Sequence, residues 1–263
     1  MTSRMPVVFI GHGSPMIALD DNQTTRTWAR MAASIPRPKA ILAISAHWLT
    51  RGTAVTAMAK PKTIHDFGAF PQALFDVQYP APGDPALAAR VASLLAPTPV
   101  LLDQGDWGLD HGTWSVLVKA FPAADIPVVQ LGMDVAASPA DRFELGRRLA
   151  PLRDEGVLIM GTGNIVHNLG TMDRSNPRAA PYDWAERFRA EINDAIVKDQ
   201  PARVIDYASL GRDAGLSVPN PDHFWPLLYV LGARSPGDRL VFETDHIEPG
   251  SRSMTTVVLA EAA

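Results

Sequence analysis

The stretch VVFIGHGSPM, residues 7–16, joins an apolar run to a histidine held between two glycines. Residues 7–10 have the continuous hydrophobicity of a strand that is buried on both faces, as strands of a parallel sheet are. A turn is expected directly after this strand, where Gly11 and Gly13 would let the backbone turn tightly. The stretch therefore predicts a central strand with His12 at its carboxyl end. Considered alone, a histidine in this position is more often a hydrogen-bonded turn residue than a ligand.

Four more apolar runs have the same character and predict further buried strands, at residues 40–45, 100–102, 127–131 and 157–160. Between the runs, apolar residues recur at helical spacing and predict amphipathic helices over residues 28–35, 87–95, 114–121, 138–149, 184–196 and 224–231. Ser138 followed by Pro139 is typical of an N-cap with proline at the first helical position.

The C-terminal part has a different pattern. Two β-rich runs, at residues 239–244 and 254–260, flank the turn sequence Glu-Pro-Gly at 248–250, which predicts an antiparallel hairpin. Together the patterns predict the α/β fold class. We expect a single layered domain over residues 1–263, with a central mixed, mostly parallel β-sheet flanked by helices and ending in this hairpin.

Composition narrows the classes of function. The 263 residues are 46% hydrophobic and 20% charged with a net charge of −4, which predicts neither nucleic acid nor a membrane as a partner. The N-terminal apolar run is too short for a signal peptide, so a cytoplasmic location is expected. Because the chain has no cysteine, a metal site would use nitrogen and oxygen ligands alone.

Two glycine pairs, at 11–13 and 161–163, follow predicted strands and invite comparison with nucleotide-binding loops. Both lack the third glycine of the dinucleotide-binding motif, and neither has the lysine of a P-loop. Ser14 is also not in the G-x-S-x-G sequence of a nucleophile elbow. Nucleotide binding and this type of serine hydrolase are therefore disfavoured.

The placement of the histidines is more informative. His12, His47 and His167 each follow a predicted strand, and the carboxyl ends of parallel strands face the ligand crevice of an α/β sheet. His111 lies at a loop-to-helix junction. His223 is expected in the first turn of a helix, whose positive end disfavours imidazolium and so suits metal ligation. Each histidine alone could be a structural residue, but their repeated placement favours a site for zinc or a transition metal.

Other residues have less certain roles. His65 lies in the first of two Pro-rich irregular segments, 60–83 and 171–182, both long enough to be functional loops. We interpret His65 as a loop or substrate-lid residue and His246 as solvated.

The tryptophans near the candidate histidines allow two interpretations. Trp114 is expected in the core. Trp48 and Trp225 could equally pack in the core or wall an aromatic substrate pocket.

Six blocks of sequence together resemble the class III extradiol ring-cleavage dioxygenases, in particular the branch of the 4,5-DOPA dioxygenase (extradiol) type. The resemblance runs in order from residue 7 to about residue 260. It implies one extradiol dioxygenase-like catalytic domain around a mixed sheet, with a mononuclear non-haem metal. The blocks are FIGHGSPM (9–16), ISAHW (44–48), TIHDFGAFP with YPAPGD (63–71 and 79–84), LDHGTWSVL (109–117), GTGNIVHNL (161–169) and DHFWPLLYVLGA (222–233).

The resemblance also implies a ligand set. His12 and His47 resemble two metal ligands of the family. The third ligand in much of the superfamily is a glutamate, which gives two histidines and a carboxylate. The corresponding segment here has His223 with Asp222 beside it, and in the DOPA-type branch this ligand is a histidine, so His223 is the expected third ligand.

Two more histidines have roles implied by the resemblance. His167 resembles the acid/base residue, which in resting forms of this branch can also approach the metal, so it is expected as a catalytic residue and as a metal ligand. His111 resembles a residue that contacts a substrate oxygen. The cofactor implied is one divalent metal ion, with Fe(II) expected for catalysis and Zn(II) possible in the isolated protein because the affinity order favours zinc.

The activity implied is insertion of O2 into a catechol-type ring, DOPA-like or related, to give a muconic semialdehyde. The partners expected are therefore a small catechol and O2. Two alternatives stay open: a non-catalytic metal-binding protein on the same fold, and a zinc-dependent hydrolase that uses the same histidines. The sequence leaves the particular catechol, the position of ring cleavage and the oligomeric state undetermined.

Overall fold

One mixed β-sheet organises the protein. The structure, a computed structural model, describes residues 4–176 and 179–261. Within these residues the sheet has eight strands in the order β4-β3-β5-β2-β6-β1-β8-β7. The strands are β1 (Val7–Gly11), β2 (Ala40–Thr50), β3 (Thr53–Thr56), β4 (Val100–Asp103), β5 (Val128–Asp134), β6 (Val157–Gly163), β7 (Asp238–Thr244) and β8 (Thr256–Glu261).

The strand directions confirm the predicted fold class. The central strands β5, β2, β6 and β1 are parallel, and β3 pairs in parallel with β4. At the C-terminal end, β8 runs antiparallel to both β1 and β7, which is the predicted hairpin. Strand β3 was not predicted, and it runs antiparallel to β5, so the sheet is mixed at both sides.

Helices cover both faces of the sheet. They are α1 (Gln23–Ser34), α2 (Gln72–Phe75), α3 (Pro85–Leu95), α4 (His111–Ala120), α5 (Pro139–Leu149), α6 (Asp183–Val197), α7 (Pro201–Ile205), α8 (Arg212–Ser217) and α9 (Trp225–Gly232). Short 3-10 helices lie at Pro15–Ala18, Ala150–Arg153 and Tyr207–Ser209. No helix in residues 4–176 and 179–261 is long and apolar enough to cross a membrane.

The residues of β1 explain why two hydrophobic cores form. All five residues of the strand are buried. Val7 and Phe9 belong to the core that includes residues of α3, α5, α6 and α9, whereas Val8 and Ile10 belong to the core that includes residues of α1 and α4. Successive strand residues point to opposite faces, so a continuous apolar run is what a strand between two helix layers requires.

Local signals in the sequence place the start of α5 correctly. The Ser138 hydroxyl accepts a hydrogen bond from the backbone N–H of Asp141 at 3.1 Å, and the Asp141 carboxylate accepts one from the backbone N–H of Ser138 at 2.9 Å. This reciprocal capping box, with Pro139 at the first helical position, stabilises the helix end by about 1 kcal/mol.

Residues 100–102 were predicted to form a buried strand, and the prediction that this strand is buried is wrong. These residues do form β4, but β4 is the last strand on its side of the sheet. Leu101 is 67% exposed and Leu102 is 37% exposed. Hydrophobicity alone could not reveal this, because the position of a strand within the sheet depends on strands that pair with it from elsewhere in the chain.

Candidate metal centre

Three candidate histidines reach the same edge of the sheet from different elements. His12 directly follows β1, and its backbone N–H donates to the Gly163 carbonyl at the end of the neighbouring strand β6. His47 lies within β2, which continues to Thr50 rather than ending at residue 45 as predicted. The pairing of β2 with β5 shifts register between Ile44 and Leu49, and such an irregularity re-aims the side chains it contains, His47 among them.

His223 reaches the site from the turn before α9. The prediction that it lies in the first turn of a helix is wrong by two residues, since α9 begins at Trp225. The backbone N–H groups of Phe224 and Trp225 both donate to the Pro221 carbonyl, so this turn leads directly into the helix.

The three histidines converge. Nε2 of His12 lies 3.1 Å from Nε2 of His47. One ring nitrogen from each of His12, His47 and His223 lies within 4.8 Å of the other two. Ring nitrogens held this close, with the imidazole planes turned relative to one another, could hold a single ion.

Burial keeps two of these imidazoles in the form that binds metal. Desolvation lowers the pKa of His12 and of His47 well below the ordinary value, and the neighbouring histidines lower it further. Both rings are therefore neutral at pH 7, as metal ligation requires. Nδ1 of His12 is buried without a hydrogen-bond partner among the described residues. An unpaired buried nitrogen costs free energy, and core packing alone gives no reason for that cost.

A carboxylate lies near Nδ1 of each of the other two histidines. Asp66 Oδ2 is 3.7 Å from Nδ1 of His47, and Asp222 Oδ2 is 3.2 Å from Nδ1 of His223. A carboxylate on the far nitrogen orients a metal-bound imidazole and raises its basicity. The donor set therefore fits one divalent cation bound through nitrogen.

His111 lies beside this cluster at the first position of α4. Its Nδ1 is 2.9 Å from Asp66 Oδ2, and its backbone N–H donates to Asp66 Oδ1 at 2.9 Å. Burial is the largest influence on Asp66 and opposes its ionisation, but the contacts with the side chain and backbone of His111 together outweigh it, and the pKa of the carboxyl is lowered. Asp66 is thus an anion that lies beside both His47 and His111.

His167 stacks on His223 rather than joining the three converging nitrogens. The two ring centroids are 3.5 Å apart and the planes differ by 9°. Burial, together with the nearby His223, lowers the pKa of His167 to about 3. The structure thus brings all five predicted histidines together, with His12, His47 and His223 as the innermost set.

Sequence reasoning missed Asp66 and singled out its neighbour His65. The His65 ring instead packs against Trp114, and its Nε2 is 3.0 Å from the Val77 carbonyl oxygen. His65 does not line the cavity in front of the metal site. The one sequence signal for Asp66 was its position in TIHDFGAFP, one of the blocks that resemble the dioxygenase family. His246 is 45% exposed, as expected.

Asp110 and Asn164 are two further polar residues that the sequence did not reveal. The Asp110 carboxylate caps α4 and accepts a hydrogen bond from the Ser45 hydroxyl at 2.7 Å, which ties α4 to β2. The Asn164 side-chain amide donates to the His12 and Ser253 carbonyls, at 2.7 and 2.6 Å, while its backbone N–H donates to the His223 carbonyl at 2.8 Å. These bonds fix the backbone positions from which the ligands project.

The glycines act through close packing rather than through turn conformation. Neither Gly11 nor Gly13 has a positive φ, so the expectation of a glycine-specific turn is wrong. A Cβ at Gly11 would lie 2.7 Å from the Thr255 backbone nitrogen. A Cβ at Gly163 would lie 2.1 Å from the His223 carbonyl oxygen. Glycine at these positions lets two backbone segments approach beside the site.

The cavity in front of the histidines has a volume of about 310 Å³, enough for one aromatic ring with a short substituent. Trp48 and Trp225 do not line it, which decides against the pocket-wall alternative. Trp48 stacks on Trp107, and Trp225 packs under the Arg142 guanidinium. Besides the five histidines, the lining includes Gly13, Ser14, Pro15, Phe67, Phe70, Leu169, Met172, Arg174 and Arg252.

The chain is similar to known proteins over nearly its whole length. The family model of the catalytic LigB subunit of aromatic ring-opening dioxygenase matches residues 6–253. The chain is 50% identical over 260 residues to "4,5-DOPA dioxygenase extradiol" of Escherichia coli (strain K12), covering 97% of this chain and 95% of that one. It is 38% identical over 231 residues to the protein of the same name in Beta vulgaris, covering 86% and 85%.

A solved structure agrees with the fold. The crystal structure of an uncharacterized protein from Escherichia coli K12 superposes with a TM-score of 0.86 at 44% sequence identity. The match covers 98% of this chain and 100% of that chain.

Proposed function

Because the chain belongs to the family of the catalytic LigB subunit of aromatic ring-opening dioxygenases, we propose that it opens a catechol-type ring with O2 in a metal-dependent reaction that gives a muconic semialdehyde. The observation that carries the proposal is the set of three imidazoles whose nitrogens converge at the base of a ring-sized cavity. A core of packed histidines would not leave such a cavity in front of their nitrogens.

The proposed metal ligands are His12, His47 and His223, with Asp66 and Asp222 beside Nδ1 of the last two. We assign one Fe(II) ion to this site for catalysis. Nitrogen ligands also suit Zn(II), which the affinity order favours over Fe(II), so the isolated protein is expected to bind zinc as well. When bound, Fe(II) supplies a charge that holds both catechol oxygens and the redox chemistry that activates O2.

His167 is the proposed proton-transfer group. Its neutral ring accepts the proton of a catechol hydroxyl as the substrate binds and later returns it to an oxygen of the opening ring. The stacked contact with His223 holds the ring beside the ligand set, within reach of a substrate bound there.

His111 is the proposed contact to a substrate oxygen. Asp66 Oδ2 lies 2.9 Å from its Nδ1, which holds the ring and leaves Nε2 as the nitrogen available to a substrate oxygen. Phe67 packs edge-on against the His111 ring with centroids 5.5 Å apart, and Phe70 packs against Phe67. These two rings form an apolar wall that excludes water from one side of the substrate.

The test is oxygen consumption with a panel of catechols after anaerobic loading with Fe(II). We expect O2 uptake and a yellow semialdehyde product with the Fe(II)-loaded protein and neither with the Zn(II)-loaded protein. Metal binding without O2 uptake for every catechol would support the non-catalytic alternative. Oxygen-independent hydrolysis by the Zn(II) form would support the hydrolase alternative.

A further inference from the structure

Strand β7 lies at one edge of the sheet and pairs with β8 alone. Other than its pairing with β8, the backbone of residues 239–244 makes no backbone–backbone hydrogen bond within residues 4–176 and 179–261. Unpaired N–H and C=O groups along an edge form a template on which another strand can pair. The opposite edge strand, β4, has four residues, whereas β7 has seven. Of the two edges in the described part of the chain, β7 is therefore the longer open site for strand addition.

The centre of this edge is apolar. Leu240 and Phe242 are half-buried and pack against the core that includes residues of α6. Val241 is also half-buried and packs, on the other face, against the core that includes residues of α1. An edge strand that stays unpaired is commonly protected by charged residues, and these three positions have none. A second strand beside β7 would remove their remaining apolar surface from water, which is favourable.

Two opposite charges flank this apolar centre symmetrically. Arg239 lies two residues before Val241, and Glu243 lies two residues after it. Arg239 is exposed, and neither charge makes an ion pair with another described residue. In an antiparallel pairing of two β7 strands about Val241, Arg239 of each copy lies opposite Glu243 of the other. Opposite charges in directly opposed positions stabilise a strand pair, and two-fold symmetry makes the contact twice.

A groove of about 470 Å³ lies beside this end of β7. Its described lining includes Glu243, Asp245 and Glu248, together with residues from the start of α1, and contains neither lysine nor arginine. Asp245 already pairs with Arg189, whereas Glu243 has no such partner among the described residues. Arg239 of a second copy, placed opposite Glu243, would thus meet an acidic groove. The charge complementarity therefore extends beyond the strand pair itself.

The extent of the pairing is set by β7. Residues 238–242 pair with β8 in unbroken register, and the register shifts between Phe242 and Thr244. Such an irregularity commonly ends a pairing, which places the C-terminal limit at Glu243. At the other end the Asp238 carboxylate is already occupied, since its Oδ2 lies 2.7 Å from Nη1 of Arg153. The paired stretch, residues 239–243, is short, so we expect a dimer that dissociates on dilution.

We propose that β7 is a dimerisation edge, at which two copies of this chain pair antiparallel about Val241 and join their eight-stranded sheets into one. A second copy is favoured over an unrelated peptide because the edge is complementary to itself. Arg239 faces Glu243, Leu240 faces Phe242, and Val241 faces its own copy. The interface is closed by two-fold symmetry, so pairing at this edge stops at the dimer. This inference does not depend on the proposed function.

The first experiment measures molar mass against concentration by sedimentation equilibrium. For the wild-type protein we expect the mass to rise from that of one chain towards that of two as the concentration approaches about 100 µM, because short interfaces bind weakly. Arg239→Glu and Glu243→Arg should each raise the dissociation constant about tenfold, since each places like charges opposite one another twice. The double variant, with the charges exchanged, should restore the wild-type value. Arg51→Glu, at an exposed arginine in the turn between β2 and β3, is the matched control and should dimerise normally.

A disulfide experiment tests the register, because the chain has no cysteine of its own. In the proposed pairing the two Val241 Cα atoms are about 4.5–5.5 Å apart, a separation that a disulfide spans. Val241→Cys should therefore form a covalent dimer when glutathione disulfide oxidises the two thiols, and a non-reducing gel detects it. Leu101→Cys, on the exposed β4 edge, is the control and should remain a monomer.

A wild-type protein that stays monomeric at the highest concentration, with Val241→Cys not crosslinked, would overturn the proposal. A dimer that neither charge reversal weakens, or that is crosslinked through Leu101→Cys, would place the interface elsewhere and overturn it too. A charge-reversal variant that fails to fold is recognised by its circular dichroism. Val241→Cys, which keeps both charges, then decides the outcome.

Discussion

Nδ1 of His111 lies 2.9 Å from Oδ2 of Asp66, and the same oxygen lies 3.7 Å from Nδ1 of His47. One carboxylate thus lies beside a proposed metal ligand and a proposed substrate contact. Asp66 does not lie in a helix or strand. Its position is fixed by contacts such as the hydrogen bond that its carboxylate accepts from the His111 backbone N–H. The relationship couples metal affinity to the geometry of substrate binding.

Asp66→Asn should weaken metal binding about tenfold to a hundredfold, because the amide is a poorer orienting partner for the His47 ring. Competition with a chromophoric chelator measures the affinity. Asp76→Asn, an exposed position in the same segment, is the matched control and should leave the affinity unchanged. An unaltered affinity in Asp66→Asn would show that the carboxylate does not support the site.

His12→Ala and His47→Ala should each lose the bound metal, whereas His167→Ala should keep it and lose turnover. The reason is that His12 and His47 belong to the converging nitrogens and His167 does not. Metal analysis after dialysis and O2 uptake with a catechol give the two readouts. Full metal content in both ligand variants would refute the ligand assignment, and ring cleavage by His167→Ala would refute the proton-transfer role.

The metal-free protein should lose stability as the pH falls below 6.5, partly because of His167. Above pH 6.5 this ring is neutral in both the folded and the unfolded state. Below it the unfolded state takes up a proton, while the folded state does not until about pH 3. At pH 5 the loss from this residue is about 2 kcal/mol.

The check is urea unfolding of the metal-free protein at pH 8 and pH 5. His167→Asn should show a smaller difference in unfolding free energy between the two pH values than the wild type. The exposed His246→Asn is the control and should behave like the wild type. Equal pH dependence in His167→Asn would mean that this ring is not held neutral by burial.

Gly163→Ala should destabilise the protein by about 1–3 kcal/mol and weaken metal binding, because its Cβ would lie 2.1 Å from the His223 carbonyl oxygen and would push that backbone away. Thermal unfolding and the chelator assay measure the two effects. Gly105→Ala is the matched control, since no atom lies within 4 Å of its added Cβ. Normal metal affinity in Gly163→Ala would show that the His223 backbone can move without loss of the site.

Much of the fold could be predicted from local sequence patterns. The run at residues 7–10 is apolar at every position because β1 is packed on both faces, and the same holds for β6. At the start of α5, the hydrogen bonds of the capping box join Ser138 to Asp141, which is close in the sequence. This helix end could therefore be predicted without knowledge of tertiary contacts. The histidines could be found because parallel strands end at one edge of the sheet.

Long-range contacts decided the rest. The sequence by itself determined seven of the eight described strands, that the fold is α/β and which histidines approach one edge, because the hydrophobic pattern along a segment is a local property. Only the tertiary structure placed β4 at the edge, set Asp66 against His111 across 45 positions of sequence and put Phe67 rather than Trp48 in the cavity wall.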